Sequence, residues 1–401
     1  MKGAYIYDAI RSPRTRAKDS GGLHDLTPQE LLKQLYESLR QRTGLEPASI
    51  GEIILGCVTQ HGEQAGNIAK TSALYAGWPD TVGGMTVSRF CSSGIDAISL
   101  AALKIGAGQE RAIIAGGVEM MSRVPMLADQ ARAFIDPAFA ARCQMLMMGS
   151  GADLIASLHG VTREQADAVA LASQQRAARA RHEGYFSSIV PIVNSEKGLT
   201  VTEDECIRGD ITAAQLAELP AAFAGLGARG VDRTQLNNYP QLQEIDHVHT
   251  AGNSPAMCDG AAVLLIGDES LGESLGQAPR ARILGAATAS ADPLQVLSGC
   301  VAATARLLRE QALDTTDIDL FELHEAFAAT SIKAQQDLGI SADQLNVNGG
   351  VIALGHPMGA TGAMMAGTLL DELERRDLNT GVVAASGAAG SGSALLLQRQ
   401  A

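Results

Sequence analysis

The sequence has few aromatic residues and no paired cysteine motif, and both absences exclude classes of protein. Only 3% of its 401 residues are aromatic, whereas 46% are hydrophobic and 43 are glycine. Its core must therefore be built mainly from aliphatic side chains. The cysteines show no C-x-x-C pair and no metal-ligand spacing, so we expect reduced thiols and no metal site. These cysteines are Cys57, Cys91, Cys143, Cys206, Cys258 and Cys300.

Basic clusters and long apolar runs are also missing. The formal net charge of −13 argues against nucleic acid as a partner, because nonspecific binding to a phosphate backbone needs clustered Lys and Arg. No apolar run approaches the roughly 18 residues that cross a bilayer. The N-terminal stretch MKGAYIYDAIRSPRTR alternates like a short strand and lacks the apolar centre of a signal peptide. The sequence predicts a soluble, cytoplasmic protein with neither nucleic-acid nor membrane partners.

An internal repeat organises the chain. Gly44–Leu55 (GLEPASIGEIIL) aligns with Ala312–Leu323 (ALDTTDIDLFEL), each as a helix end, a turn and a strand. At a closely similar offset, Arg111–Gly117 (RAIIAGG) falls opposite Thr380–Ser386 (TGVVAAS). Helices and strands alternate in both halves, which favours mixed or parallel sheets covered by helices. The repeat predicts two related α/β halves in a chain long enough for two or three domains.

A different kind of sequence lies between the halves. It contains a long helical pattern, TREQADAVALASQQRAARARHEG, whose start at Thr162–Gln165 has the form of a capping box. Polar, turn-rich segments follow, as expected for a lobe inserted over an active site. The strand-like AAVLLIGD then closes the first half. We assign an N-terminal half to residues 1–120 plus 250–270, an inserted domain to 121–249 and a C-terminal half to 271–401.

Cys91 is a candidate nucleophile. In VSRFCSSGIDA a strand-like run ends at this cysteine, small residues follow, and an amphipathic helix begins. The N–H groups and the dipole at a helix N-terminus favour a thiolate. A buried structural thiol is the alternative, and the elbow pattern alone leaves both interpretations open.

Two histidines are candidate partners for this cysteine. His356 lies between Gly355 and Pro357 in the glycine-rich NVNGGVIALGHPMGATGA. Such a ring has little to pack against, which favours a functional role. His324, in DLFELHEAFAAT, lies where a strand gives way to a helix. A single histidine is more often structural, so its residue context alone leaves the role of His324 open.

The motifs together carry a family resemblance. CSSG, HTAGNS followed by DGAA, HEAFA, NVNGGVIALGHPMGATG and a final glycine-rich loop, VAASGAAGSGSALLLQ, occur in this order over essentially the whole chain. This pattern resembles the thiolase family of acyl-CoA acyltransferases. The resemblance implies an α/β fold of two duplicated halves in five layers, α-β-α-β-α, with an inserted loop domain that holds coenzyme A. It further implies acyl-CoA and CoA as substrates, no other cofactor, a homodimer or homotetramer, and a place in fatty acid metabolism, including β-oxidation.

The resemblance also implies residue roles. Cys91 resembles the nucleophile that takes the acyl group, and His356 the base that activates it. His324 stands where many thiolases have Asn and is expected to help form an oxyanion hole. The backbone N–H groups of Cys91 and Ala388 are expected to form a second one. The expected contacts with CoA are Met148, Arg208, Ala251, Ala326 and Phe327, while Pro255 and Gln215 replace serines of the family pattern.

Ser386 departs from the family pattern. It occupies a catalytic position where thiolases usually have a second cysteine, which exchanges a proton with the acetyl carbon. A thiol with a pKa of about 8.5 can do this near neutral pH, and a serine hydroxyl cannot readily do so. Thiolysis and condensation are therefore expected to be impaired, and replacing Ser386 by Cys is expected to raise them.

Three functions are compatible with these residues. The leading prediction is a 3-ketoacyl-CoA thiolase that acts through an acyl-Cys91 intermediate. A decarboxylating, ketosynthase-like condensing enzyme that uses Cys91, His324 and His356 is the first alternative, because loss of CO₂ removes the need for a second cysteine. A degenerate acyl-CoA-binding protein is the other.

Overall fold

The secondary structure alternates between helices and strands along most of the chain. In the computed structural model, residues 2–400 are described. The strands are β1 (Ala4–Arg11), β2 (Thr15–Arg16), β3 (Glu52–Gly56), β4 (Gly83–Val87), β5 (Ala112–Met120), β6 (Ile192–Asn194), β7 (Leu199–Val201), β8 (Cys258–Gly267), β9 (Ala281–Ser290), β10 (Leu320–Leu323), β11 (Thr380–Ser386) and β12 (Ser391–Arg399). The helices are α1 (Pro28–Thr43), α2 (Ile68–Tyr75), α3 (Ser93–Gly106), α4 (Arg132–Ile135), α5 (Pro137–Cys143), α6 (Met148–His159), α7 (Arg163–His182), α8 (Ala213–Ala217), α9 (Ala224–Leu226), α10 (Asp232–Asn238), α11 (Glu269–Leu275), α12 (Gly299–Gln311), α13 (Ala328–Leu338), α14 (Val351–Leu354) and α15 (Thr361–Arg375).

Two sheets sandwich a central pair of helices. The first sheet has the strand order β4-β3-β5-β8-β1, and the second has β9-β12-β11-β10; β1 and β9 pair antiparallel and join them at one edge. Helices α3 and α15 pack between the sheets, α1 and α2 cover the outer face of the first, and α12 and α13 that of the second. The predicted five-layered α-β-α-β-α fold is confirmed.

Both faces of the inner strands β3, β5, β8 and β11 are buried, which explains their continuous apolar sequences. In β3, Ile53 and Leu55 belong to the outer core with α1 and α2, whereas Ile54 points to the central helices. In β11, Val382 and Ala384 face α12, and Val383 faces the centre. Successive side chains of a strand point to opposite faces, so each strand serves two cores.

The repeat found in the sequence corresponds to equivalent positions in the two sheets. Strand β3 pairs parallel with β5, as β10 does with β11. Strand β5 pairs antiparallel with β8, as β11 does with β12. A 3₁₀ turn precedes β3 at Pro47–Ser49 and precedes β10 at Thr315–Asp317. The aligned segments therefore occupy the same place in each half.

The segment between β5 and β8 packs mainly on the C-terminal half. Helices α6 and α7 contact α13, and α7 also contacts α14. The predicted capping box is present, since Thr162 and Gln165 cap α7 reciprocally. The domain boundaries at residues 121, 249 and 271 stay predictions. Among residues 2–400, no helix combines the length and the apolar character that a bilayer crossing requires.

Candidate active site

An apolar cavity of about 270 Å³ lies where the loops after β4 and β10 meet the loop before α15. Cys91, His324 and His356 are its titratable lining groups. Two phenylalanines, Phe223 and Phe327, also line it. The remaining lining is rich in methionine, at positions Met121, Met126, Met147, Met148, Met257 and Met358. A few reactive groups in an apolar concave surface are typical of a small-molecule site.

Cys91 and His356 are in direct contact. The Sγ atom of Cys91 lies 3.1 Å from Nε2 of His356. The other ring nitrogen, Nδ1, lies 2.7 Å from the hydroxyl of Thr361, the first residue of α15. When the Cys91 thiol donates to Nε2, Nδ1 carries the ring proton and donates to Thr361. The histidine is thus held as a base for the thiol, which is the arrangement of an activated nucleophile.

Burial favours the neutral form of both groups in the free protein. Burial raises the pKa of Cys91 to about 12, and the negative charge of Glu119 contributes in the same direction. Burial also lowers the pKa of His356 well below its ordinary value, with smaller effects from His324 and Arg14. The expectation of a thiolate stabilised by the helix N-terminus is therefore wrong for the free protein. Helix α3 begins two residues after Cys91, and loss of hydration outweighs its dipole.

Glu119 positions the His356 loop, and sequence analysis missed it. This buried carboxylate of β5 accepts hydrogen bonds from the N–H groups of Val58, Thr59 and Gly359 at 2.9, 3.0 and 3.0 Å. It also accepts one from the side chain of Gln64. It therefore connects the loop between β3 and α2 in the N-terminal half with the turn that follows His356. Its sequence signal is a single acidic residue inside the otherwise uncharged strand AIIAGGVEM.

His324 faces the same cavity with one nitrogen unpartnered. Its ring centre lies 4.5 Å from that of His356. Its Nδ1 lies 3.2 Å from the carbonyl oxygen of Ser386, and its Nε2 is buried without a hydrogen-bond partner. A carbonyl oxygen only accepts, so Nδ1 carries the proton and the neutral ring presents a lone pair at Nε2. In this geometry His324 does not offer the N–H that its predicted oxyanion role requires.

The final glycine-rich loop runs directly against the turn that carries Cys91. The Ser92 hydroxyl donates to the carbonyl of Ala385 at 2.8 Å. A Cβ atom on Gly387 would lie 2.7 Å from the carbonyl oxygen of Arg89, closer than real Cβ contacts come. Small residues are needed here because the two backbones touch. Ala388 is buried beside the cavity-lining Ala326 and Phe327, and its oxyanion role with Cys91 stays a prediction.

The Ser386 hydroxyl is engaged elsewhere. It donates to the carbonyl of Leu297 at 2.9 Å and accepts from the N–H of Cys300 in the first turn of α12 at 3.0 Å. The side chain is fully buried and is not part of the cavity lining. Ser386 thus lies next to the site, because its carbonyl oxygen contacts His324. Its hydroxyl, however, is hydrogen-bonded to the backbone of Leu297 and Cys300.

The expected CoA contacts separate into two groups. Met148, Ala326 and Phe327 line the cavity with Cys91. Arg208 and Ala251 do not: the N–H of Arg208 donates to Gln174 on α7, and Ala251 is exposed in the loop before β8. The structure therefore brings three of these five residues to the cavity, and the CoA roles of all five stay predictions.

Comparison with known proteins agrees with this geometry. Residues 4–230 match the thiolase N-terminal domain and residues 277–399 match the thiolase C-terminal domain. The chain belongs to the thiolase family. A 3-ketoacyl-CoA thiolase of Shewanella frigidimarina is 37% identical over 409 residues, with 100% of both chains covered. The 3-oxoadipyl-CoA/3-oxo-5,6-dehydrosuberyl-CoA thiolase of Escherichia coli is also 37% identical, over 422 residues and 100% of both chains.

A solved thiolase structure has the same fold. The Bacillus anthracis acetyl-CoA acetyltransferase superposes with a TM-score of 0.87 at 35% identity, covering 100% of this chain and 99% of the other. The present chain is thus a thiolase-type acyltransferase that acts on acyl-CoA and CoA. The ketosynthase-like and acyl-CoA-binding alternatives are not favoured by these relatives.

Proposed function

We propose that this thiolase cleaves 3-ketoacyl-CoA with an uncharged acyl chain, through an acyl-Cys91 intermediate. The contact of 3.1 Å between Cys91 Sγ and His356 Nε2, inside an apolar cavity, is the observation that carries the proposal. A thiol with a raised pKa needs a base at the moment of attack, and His356 is the only base in contact with it among the described residues.

The proposed reaction has two acyl transfers. His356 takes the proton of Cys91 as the sulfur attacks the 3-keto carbon, and cleavage of the C2–C3 bond leaves the acyl group on sulfur. The C2 carbon takes up the proton that left Cys91, which returns His356 to its neutral form, and departs as acetyl-CoA. The thiol of CoA then attacks acyl-Cys91, with His356 again as the base. The shortened acyl-CoA leaves, and Cys91 regains its proton.

The cavity lining supports an uncharged acyl chain. No Lys, Arg, Asp or Glu lines it. A substrate such as the 3-oxoadipyl-CoA named for the E. coli relative carries a carboxylate at the far end of its acyl group. Burying that charge without a partner is strongly unfavourable. Methionine side chains are flexible and adapt to apolar chains of different shape.

The covalent step can be tested by intact mass spectrometry after incubation with a saturated acyl-CoA. We expect one acyl adduct, which is absent in Cys91→Ala. Cys143 is the exposed cysteine among the described residues, so Cys143→Ala is the matched control and should keep the adduct. An adduct that survives in Cys91→Ala would refute the proposed intermediate.

The preference for uncharged chains has a separate test. The ratio of kcat/KM for thiolysis of 3-ketooctanoyl-CoA to that of 3-oxoadipyl-CoA should be at least about 100, since an uncompensated buried charge disfavours binding by several kcal/mol. A ratio near one would contradict the substrate assignment and leave the acyl-Cys91 intermediate untouched.

Two further parts of the proposal concern the assembly of the enzyme and its metabolic role. We propose a homodimer or homotetramer in the cytoplasm, as the family resemblance implies, and a role in fatty acid metabolism, which the 3-ketoacyl-CoA thiolases among the relatives support. Light scattering at micromolar concentration tests the assembly, and a monomer would contradict it.

A further inference from the structure

One nitrogen atom in the cavity, Nε2 of His324, is buried and has no role in the reaction proposed above. His324 is 3% exposed and lines the cavity with Cys91 and His356. Its Nδ1 points to the carbonyl oxygen of Ser386 at 3.2 Å, whereas Nε2 has no partner among the described residues. Buried polar atoms in proteins are nearly always hydrogen-bonded, so one that is not calls for an explanation.

The proton on this ring is on the wrong nitrogen for an oxyanion donor. The Ser386 carbonyl can only accept, so it keeps the proton at Nδ1. Burial lowers the pKa of His324 to about 4, so the ring is neutral before the reaction, and negative charge that develops at C2 beside it raises this pKa as the proton moves. Nε2 therefore faces the substrate as a hydrogen-bond acceptor and a base. A thioester oxygen placed beside Nε2 would face a lone pair and would receive no hydrogen bond from it.

The other groups that could transfer a proton at this site already have a role or hydrogen-bond partners. Cys91 carries the acyl group, and His356 exchanges its proton with Cys91 at 3.1 Å. The hydroxyl of Ser386 is bound to Leu297 and Cys300 and does not line the cavity. Among the titratable groups of the lining, only His324 remains for proton transfer at the C2 carbon of acetyl-CoA.

We propose that His324 is the catalytic acid and base for carbon C2, in place of the second cysteine that this chain lacks. The inference rests on the proposed acyl-Cys91 reaction and adds the second proton transfer to it. In condensation, Nε2 of His324 takes a proton from C2 of acetyl-CoA, and the C2 carbanion forms a C–C bond with the acyl carbon while the bond to Cys91 sulfur breaks. The proton on His324 then returns through His356 to the Cys91 thiolate.

Thiolysis runs the same steps backwards. Cys91 gives its proton to His356, His356 passes a proton to Nε2 of the neighbouring His324 ring, whose centre lies 4.5 Å away, and Nε2 delivers it to the C2 enolate. One proton leaves the thiol and one reaches carbon, so no oxidant or other reactant is required. The Ser386 backbone carbonyl stabilises the transient imidazolium at Nδ1.

Two half-reactions separate this proposal from the proposed function. Hydrogen–deuterium exchange at C2 of acetyl-CoA in D₂O, followed by NMR, reports proton transfer at carbon. Formation of the acyl-Cys91 adduct, followed by intact mass spectrometry, reports the nucleophile. We expect His324→Asn to lower the exchange rate by at least about 100-fold, the lower range for general acid–base catalysis, while the adduct forms within threefold of the parent rate.

Asparagine is chosen because it keeps an N–H donor and removes the base. If His324 were an oxyanion donor, His324→Asn would retain exchange, and that result would overturn the proposal. Loss of both half-reactions in a variant whose thermal unfolding matches the parent would also overturn it.

His324→Gln is a second variant in case the Asn variant folds poorly, and it is expected to behave in the same way. His182→Asn, at an exposed histidine, is the matched control and should leave both rates unchanged. Absence of the adduct in the parent would refute the acyl-Cys91 reaction instead.

Discussion

The backbone N–H of Gly359 donates a hydrogen bond of 3.0 Å to Oε2 of Glu119, which joins the loop of the catalytic base to the central strand of the other half. The same carboxylate holds the N–H groups of Val58 and Thr59. Because His356 lies three residues before Gly359, Glu119 helps to set where the base stands relative to Cys91, together with the hydrogen bond from the N–H of His356 to the carbonyl of Ala256. An ionised or protonated carboxyl has two acceptor atoms here, and an amide has one.

We therefore expect Glu119→Gln to weaken both folding and catalysis. The amide nitrogen must face backbone donors in either orientation, leaving buried N–H groups unpaired at about 1–3 kcal/mol each. Urea unfolding should show a loss of that size, and kcat should fall more than KM rises. Glu310→Gln removes an exposed partner of Arg306 and should change stability by less than about 0.5 kcal/mol. Equal effects of the two substitutions would contradict a positioning role for Glu119.

The protonation state of the nucleophile predicts a pH dependence. With the pKa of Cys91 raised to about 12 and that of His356 lowered, the thiolate fraction of the free enzyme rises throughout the alkaline range. Alkylation of Cys91 by iodoacetamide should therefore increase about tenfold per pH unit between pH 7 and 10, since the thiolate is the reactive form. The measurement belongs in a Cys143→Ala background, because Cys143 is exposed. A plateau between pH 6 and 8 would instead indicate a preformed thiolate–imidazolium pair.

The two α/β halves were predictable from local patterns, whereas the five layers and the Cys91–His356 pair were predicted through the family resemblance, which rests on short motifs in a fixed order. Apolar strands, Ala-rich helices and small-residue turns repeat in each half, and a cysteine at an elbow needs a base nearby. The tautomer of His324 was not accessible, since it depends on the carbonyl of Ser386, 62 residues away. The thiolate expectation failed for a related reason: helix position is local, but the burial that raises the Cys91 pKa comes from the whole fold.

A cation introduced into the cavity should change substrate preference. Met148 lines the cavity at the start of α6, and Met148→Lys would place an ammonium group among apolar side chains. We expect the kcat/KM ratio of 3-oxoadipyl-CoA to 3-ketooctanoyl-CoA to rise at least tenfold, because the carboxylate would gain a partner. Met148→Leu conserves volume and should hold the ratio within threefold. If Lys and Leu shifted the ratio equally, charge at this position would not govern the preference.

Ser386→Cys distinguishes the two candidate positions for proton transfer at C2. By analogy with the family, a thiol here should raise thiolysis by about 10²- to 10⁴-fold. The structure leads to a different expectation. The hydroxyl of Ser386 is fully buried and bound to Leu297 and Cys300, and the base facing the cavity is His324.

We therefore expect Ser386→Cys to change thiolysis by less than about tenfold and to leave exchange at C2 of acetyl-CoA largely intact. In the His324→Asn background the same substitution should not restore exchange, because a side chain that follows the serine into the space beside α12 does not reach the substrate carbon. Deuterium incorporation at C2 is measured for the parent, both single variants and the double variant, which together form a double-mutant cycle. A rise of 100-fold or more in Ser386→Cys, or recovery of exchange in the double variant, would assign the proton transfer to position 386 and remove it from His324.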